Sequence, residues 1–461
     1  MMRALLIPSL VGVAIAGFSS CSEDSSLQAS FEARPGEVPH KRLVLITLDT
    51  LRHDSFFGAE GTPGDMPLTR QWAADALAFD RYYSVTSSTQ PSHATLFTGL
   101  QPWQHGVTYN GVTLDEELET LAEKLQGAGY RTGAAVASYP VHSAFGYDQG
   151  FDVFLDSFNS GQAWNKWVGQ PVEAQGGFFA SGDYILEEAM ALIDGLGGEK
   201  QFLWFHFFDP HWPYGDREGG FQGRPTAELI NRLIDEPEMQ GELLAEIRAG
   251  YQLDVAAMDR DLDTLFKRLD ADGIETHVVI VSDHGESLGE SSSLGHGMRL
   301  TPEQILCPLI VRSPRVQAGT SSLPVGSCDV AATLLSLAGI EGSLDGGRDL
   351  TSPTSTRSEP VFGMRSTFKS GRDRRLDGRV LELNEGESRF FVVEGEAMYT
   401  GDSELVTRGD DGVSIGESET STRLKSIFSL LDAELQATRS GQTVDEATLR
   451  ALEALGYTGN E

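Results

Sequence analysis

Short apolar runs that stop on an acidic residue set the pattern of this chain. Lys41–Leu48 (KRLVLITL) runs into Asp49, and His277–Ser282 (HVVIVS) runs into Asp283 and His284. Gln201–Phe208 is followed by Asp209 and His211. Short, β-branched runs without polar alternation read as strands buried on both faces, as in parallel sheets. Two more strands are expected at Arg131–Ala137 and at Ile305–Arg312, the latter interrupted by Pro308. Helices are expected at Pro67–Ala78, Pro91–Thr98 (closed by Gly99), Asp115–Gln126, Tyr184–Leu196, Thr226–Leu269 with a break at Pro237, and Asp329–Ala338. The alternation predicts an α/β chain, with a mostly parallel central sheet and helices on both of its faces.

The composition shifts at Glu341. From there to about Ser421 the chain is rich in Gly, Ser, Arg and Asp, with strands expected at Arg379–Leu383 and Arg389–Glu394. Helices at Arg423–Ala437 and Asp445–Leu455 are expected to close it. The division is therefore a larger domain over 41–340 and a smaller C-terminal subdomain over 341–461. Residues 1–20 read as a secretory signal, with Arg3, an apolar run from Ala4 to Phe18, and small residues before Cys21. Ala14-Ile15-Ala16 offers a cleavage site, whereas Phe18-Ser19-Ser20-Cys21 is similar to a lipobox. The second reading makes Cys21 a lipid anchor and 21–40 a polar tether. Either reading exports the chain, to the periplasm or the outer cell surface. No later stretch approaches the ~20 apolar residues of a membrane-spanning helix, so contact with a membrane is expected only through that anchor.

Lys and Arg number 35 against 68 Asp and Glu, a formal net charge of −33. So acidic a surface repels nucleic acid, and an anionic substrate must be drawn in by a local site. Three cysteines exclude a disulfide framework. Cys307 and Cys328 remain either a pair in an oxidising compartment or two buried thiols.

Functional groups collect at the C-terminal ends of strands in such sheets. Asp49, Asp209 with His211, and Asp283 with His284 fall there, and carboxylates with an imidazole suit a divalent cation. A second element is Ser87-Ser88-Thr89-Gln90-Pro91-Ser92-His93. Pro91 suits a first helical turn, which places Thr89 at a helix N-terminus, where free N–H groups and the macrodipole attract anions.

At these residues the chain resembles the sulfatase branch of the alkaline phosphatase superfamily. The matching stretches are LVLITLDTLRHDSFFG (43–58), STQPSHATLFTGLQPWQHGV (88–107), FHFFDPHWPYG (205–215), VVIVSDHGESLGE (278–290), GHG (295–297), CPLIVRSP (307–314) and CDVAATLLSLAGI (328–340), followed by LRALEALGY (449–457). They keep the family order over roughly 42–340. The resemblance implies an alkaline-phosphatase-like α/β/α sandwich and one divalent cation (calcium, magnesium, manganese or zinc) on Asp49, Thr89, Asp283 and His284. A second cation is left open, through Asp209, His211 and His296.

The family carries Cys or Ser at the nucleophile, converted to formylglycine, in a pattern closed by Arg. Here those places hold Thr89 and His93, and Thr cannot become formylglycine by that route. Relatives with Thr cleave phosphodiesters or phosphonates, or transfer phosphoryl-linked head groups but usually with several membrane helices, so the resemblance implies a phosphate diester or monoester attacked by Thr89. A neighbouring dication and a helix N-terminus lower the pKa of a hydroxyl. His93, His211 and His296 are expected to hold the remaining oxygens or to protonate the leaving group. Thr50 stands where many sulfatases have a second Asp. In the loop after Arg131–Ala137, His142 is present but the family's Lys is missing. Two rival readings stay open: a sulfuric ester hydrolase, and a degenerate member that binds an anionic glycan or lipid without turning it over. The expected partner in every case is a small-molecule, glycan or lipid anionic ester.

Overall fold

The computed structural model describes residues 39–439 apart from 60, 159–178, 213, 216–231, 234, 291–292, 298, 342–343, 345–346, 353–359, 366–370, 375–379, 384–389, 402–405, 409–414 and 417. The expected signal, tether and final helix lie outside the described residues.

The central sheet holds β1 (Lys41–Leu48), β2 (Leu77–Tyr83), β3 (Arg131–Val136), β4 (Val153–Leu155), β5 (Lys200–Phe207) and β6 (Glu275–Ser282). After the short pair β7 (Ser287–Leu288) and β8 (Leu294–Gly295) come β9 (Leu306–Arg312), β10 (Gly319–Ser321) and β11 (Val325–Gly326). The spatial order is β10-β2-β9-β6-β1-β5-β3-β4, with β11 also on β2. All pairings in this sheet are parallel except those of β9 with β2 and β6. β1 lies near the middle and is buried at every residue, which is why its sequence shows no polar alternation.

Register then fixes where the chemistry goes. Leu48 pairs with Phe207 on one side and with Ser282 on the other. The ladder runs one residue further: Asp49 N–H donates to the Phe207 carbonyl (2.9 Å) and Asp283 N–H to the Leu48 carbonyl (3.3 Å). Asp49 and Asp283 thus leave the same edge side by side.

The elements follow the expected alternation, with differences at several bounds. The helix expected over Pro67–Ala78 ends at Trp72, a 3-10 turn follows to Asp75, and Leu77–Tyr83 is a strand. The Asp115–Gln126 helix begins only at Leu121, where Thr120 and Glu123 form a reciprocal capping box. Pro308 does not interrupt β9, because the β2 ladder shifts register between Phe79 and Tyr82 beside it. A bulge there spares the N–H that proline lacks. The long helix is Gln240–Ala271, preceded by a 3-10 turn at Pro237.

C-terminal to this, β12 (Val361–Met364) leads, followed by the two-stranded β13 (Gly371–Arg374) and β14 (Val380–Leu383). Next come β15 (Phe390–Glu394), β16 (Ala397–Gly401) and β17 (Val406–Arg408). The order β12-β15-β16-β17 makes a small antiparallel sheet. Phe390 and Val392 pack with Leu424 and Phe428 of the Glu419–Arg439 helix, while Phe391 and Val393 pack with Tyr83 and Ile305. Cys307 and Cys328 are both buried and are not joined in a disulfide. No helix among the described residues is long and apolar enough to cross a membrane.

Candidate metal centre and nucleophile

Asp49, Asp283 and His284 are fully buried, and one donor atom from each lies within 4.8 Å of the others. His284 Nδ1 stands 3.0 Å from the Gly285 carbonyl. A carbonyl only accepts, so Nδ1 carries the proton and Nε2 keeps its lone pair. That Nε2 is 3.7 Å from Asp49 Oδ1 and 3.5 Å from Asp283 Oδ2. Asp283 Oδ1 accepts from Thr50 N–H (3.2 Å) and His284 N–H (2.7 Å). Asp283 Oδ2 and both Asp49 oxygens are buried without a hydrogen-bond donor.

Such a cluster is electrostatically incomplete. Burial, then the charges of Asp283 and Glu286, push the Asp49 carboxyl well above its usual range, with the Thr89 hydroxyl pulling the other way. Burial pushes Asp283 to about 7. Burial and His296 hold His284 well below its usual value. Orphaned carboxylate oxygens facing a bare imidazole nitrogen fit a divalent cation of oxygen and nitrogen preference.

Thr89 is the first residue of the Thr89–Thr98 helix, which starts two residues before the expected Pro91 and ends at left-handed Gly99. Its Oγ1 is 3.4 Å from His284 Nε2. Several side chains hold this turn. Asn110 Oδ1 accepts from Gln90 N–H (2.9 Å), Tyr147 OH donates to the Gln90 carbonyl (2.6 Å), and Ser92 Oγ donates to the Asp283 carbonyl (2.7 Å).

His93 is fully buried and turned inward. Its Nδ1 meets the Thr89 carbonyl at 2.9 Å and its Nε2 meets Thr47 Oγ1 at 3.1 Å. The same hydroxyl meets His206 Nδ1 (3.1 Å) and accepts from Trp204 Nε1 (3.0 Å). His206 Nε2 lies 2.9 Å from Ser138 Oγ and 3.7 Å from Asp49 Oδ2. Burial lowers His93 to about 4 and takes His206 well below its usual value. The expected contact of His93 with substrate is not what this arrangement presents, since both ring nitrogens are taken by the protein.

His211 and His296 stand on the outer side. Their rings are 4.9 Å apart, and His296 is 4.4 Å from the His284 ring. His211 stacks on Phe208 and donates Nδ1–H to the Trp212 carbonyl (2.6 Å). His296 Nδ1 is 3.0 Å from the buried carboxylate of Glu286. Asp209 is elsewhere engaged, its Oδ2 accepting from Gly182 N–H (2.7 Å) at the head of the Gly182–Gly195 helix. His142 pairs with Asp156 at 3.2 Å.

Sequence reasoning missed His206, Thr47 and Glu286. All three sit in quoted stretches, Thr47 in 43–58, His206 in 205–215 and Glu286 in 278–290, but that Thr47 and His206 meet, as register partners across β1 and β5, is something no local pattern reveals.

Residues 41–340, more than half of the chain, match the sulfatase family. The chain belongs to that family. It is 25% identical over 327 residues to an ulvan-active sulfatase of Formosa agariphila, covering 66% of this chain and 63% of that relative's length. A protein solved with its substrate D-glucosamine-2-N,6-O-disulfate superposes with a TM-score of 0.65 at 18% identity, over 88% of this chain and 99% of that one. A phosphonate monoester hydrolase from Silicibacter pomeroyi superposes with a TM-score of 0.60 at 19% identity, over 88% and 96%. The fold is thus the α/β architecture of the alkaline phosphatase superfamily. Sulfatase relatives are hydrolases of sulfuric or phosphonic esters.

Proposed function

We propose that this sulfatase-family chain is a metal-dependent hydrolase of a phosphate diester or monoester, with Thr89 as the nucleophile. The observation that carries the reading is the position of the Thr89 hydroxyl. It lies at a helix head, 3.4 Å from Nε2 of His284 and close enough to Asp49 to draw that carboxyl down against its burial.

Asp49, Thr89, Asp283 and His284 would hold one divalent cation. Bound there, it supplies the positive charge that makes the hydroxyl acidic and offsets charge on the phosphoryl oxygens. The residues of the chain do the rest. Thr89 Oγ gives up its proton to water and attacks phosphorus, forming the Thr–O–P bond as the bond to the leaving ester oxygen breaks. His296, whose Nδ1 faces the Glu286 carboxylate, donates to the oxygens from Nε2 and gives a proton to the departing alcohol, while His211, its Nδ1–H spent on the Trp212 carbonyl, offers Nε2 as an acceptor. Water then attacks the phosphothreonine, releases phosphate or its monoester, and restores the hydroxyl. His93 holds the Thr89 carbonyl and so fixes the turn from which the nucleophile projects.

Relatives active on sulfated substrates favour a second reading, sulfuric ester hydrolysis. Residues 1–20 and Cys21 support export, with a lipid anchor on Cys21.

A panel of nitrophenyl phosphate, bis-phosphate, phosphonate and sulfate esters, with each cation restored after chelation, separates the readings. The expected result is phosphorus-ester turnover at least about tenfold above the sulfate ester, falling about a thousandfold or more in Thr89→Ala. Preference for the sulfate ester overturns the phosphorus assignment. No turnover with any cation favours an anion-binding member.

A further inference from the structure

Thr50 is the one non-glycine residue at positive φ among the described residues, at 56°. A β-branched side chain is an outlier there, and such strain persists only where the surroundings impose it. The Thr50 side chain gains nothing in return, because its Oγ1 is buried without a partner. The backbone gains on both sides. Thr50 N–H donates to Asp283 Oδ1, and the Thr50 carbonyl accepts from Tyr251 OH at 3.0 Å.

Tyr251 is buried on the Gln240–Ala271 helix, well away in sequence. Its oxygen also accepts from Arg52 N–H at 2.9 Å. One phenol therefore spans the turn, giving its proton to residue 50 and a lone pair to residue 52. Arg52 is tied down in addition, donating to the Glu286 carbonyl at 2.8 Å and pairing with Asp54 and Glu290. The turn that carries Asp49 out of β1 is thus clamped from the helix side.

We propose that Tyr251 is a positioning residue for the metal centre: it holds Thr50 left-handed, so that Thr50 N–H fixes Asp283 while Asp49 faces it. This rests on the assignment of Asp49 and Asp283 as cation ligands. Phenylalanine at 251 keeps the ring and its edge contact with Tyr214, whose centroid is 5.7 Å away. It leaves the Thr50 carbonyl and Arg52 N–H unpaired, and Thr50 is free to relax out of the strained region. Glycine at 50 has no strain to relax, so the turn no longer depends on the clamp.

The test is calorimetric titration of magnesium, calcium, manganese and zinc into chelator-treated full-length protein. The proteins compared are wild type, Asp49→Asn, Tyr251→Phe, Thr50→Gly and the Tyr251→Phe/Thr50→Gly double variant, each checked for fold by circular dichroism. Asp49→Asn should weaken the best-bound cation about a hundredfold or more, and Tyr251→Phe about ten- to a hundredfold, as partners behind a ligand do. In the Thr50→Gly background the same Tyr251 change should cost less than about threefold. If Tyr251→Phe lowers thermal stability but leaves affinity within about twofold, or if its cost is the same in both backgrounds, Tyr251 is packing and the inference fails. If Asp49→Asn leaves affinity intact, the ligand assignment fails instead. Should Tyr251→Phe not fold, Thr50→Gly alone decides. A rise in thermal stability of the metal-free protein with unchanged affinity supports the clamp, and a fall in both overturns it.

Discussion

Asp283 is the residue whose environment says most about the site. Burial lifts its carboxyl from 3.8 to about 7, and Asp49 is lifted in the same direction. A raised carboxyl stabilises the metal-free fold at low pH, and that contribution is lost as pH rises through about 7. A cation competes with the same protons, so the sign for binding is opposite: affinity should climb as pH rises through about 7. Burial, with His296 beside it, lowers His284 well below its usual value, so it competes less for protons than the carboxylates do. Calorimetry at pH 6 in buffers of different ionisation heat should show about one to two protons released per ion. Affinity independent of pH between about 5 and 8 would count against Asp49 and Asp283 as ligands.

Elements place these residues, and here the limits of reading a sequence show. β1 was legible to the residue because it is apolar at every position and closes on Asp49. The Thr89 helix was legible from its proline and from Gly99, although its first turn began earlier than Pro91 suggested. β2 was not, because LAFDRYY follows a helix with no Gly or Pro between them, and only pairing with β9, β10 and β11 makes it a strand. The Thr47–His93–His206 cluster was invisible for a similar reason, being made by register between β1 and β5 and by the helix above them. It can be tested at that scale. Thr47→Val leaves Trp204 Nε1, His93 Nε2 and His206 Nδ1 without their shared partner. Buried polar groups left unpaired cost about 1–3 kcal/mol each. Denaturant unfolding should show a loss of about 3 kcal/mol or more, mostly restored by Thr47→Ser. A loss under about 1 kcal/mol would mean that the shared hydroxyl holds nothing together.

Across the whole molecule, a formal charge of −33 surrounds a site built from three buried carboxylates, Asp49, Asp283 and Glu286. Attraction of an anionic ester to such a place needs a local positive charge, which the described site residues do not themselves provide with Lys or Arg. The family order of the motifs made the fold readable, because the stretches that close on Asp49, Asp209 and Asp283 follow parallel strands whose ends the sheet gathers onto one edge. The C-terminal sheet was only partly readable, its β12, β16 and β17 lying in a stretch of mixed composition. The account turns on covalent attack by Thr89. Rapid quench of the metal-loaded protein with a slowly hydrolysed phosphate ester, followed by peptide mass spectrometry, measures this directly. The prediction is a phosphoryl adduct localised by fragmentation to Thr89, distinguished from Ser88 and Ser92 and absent from Thr89→Ala. Turnover with no adduct, or with the adduct on another residue, would contradict it.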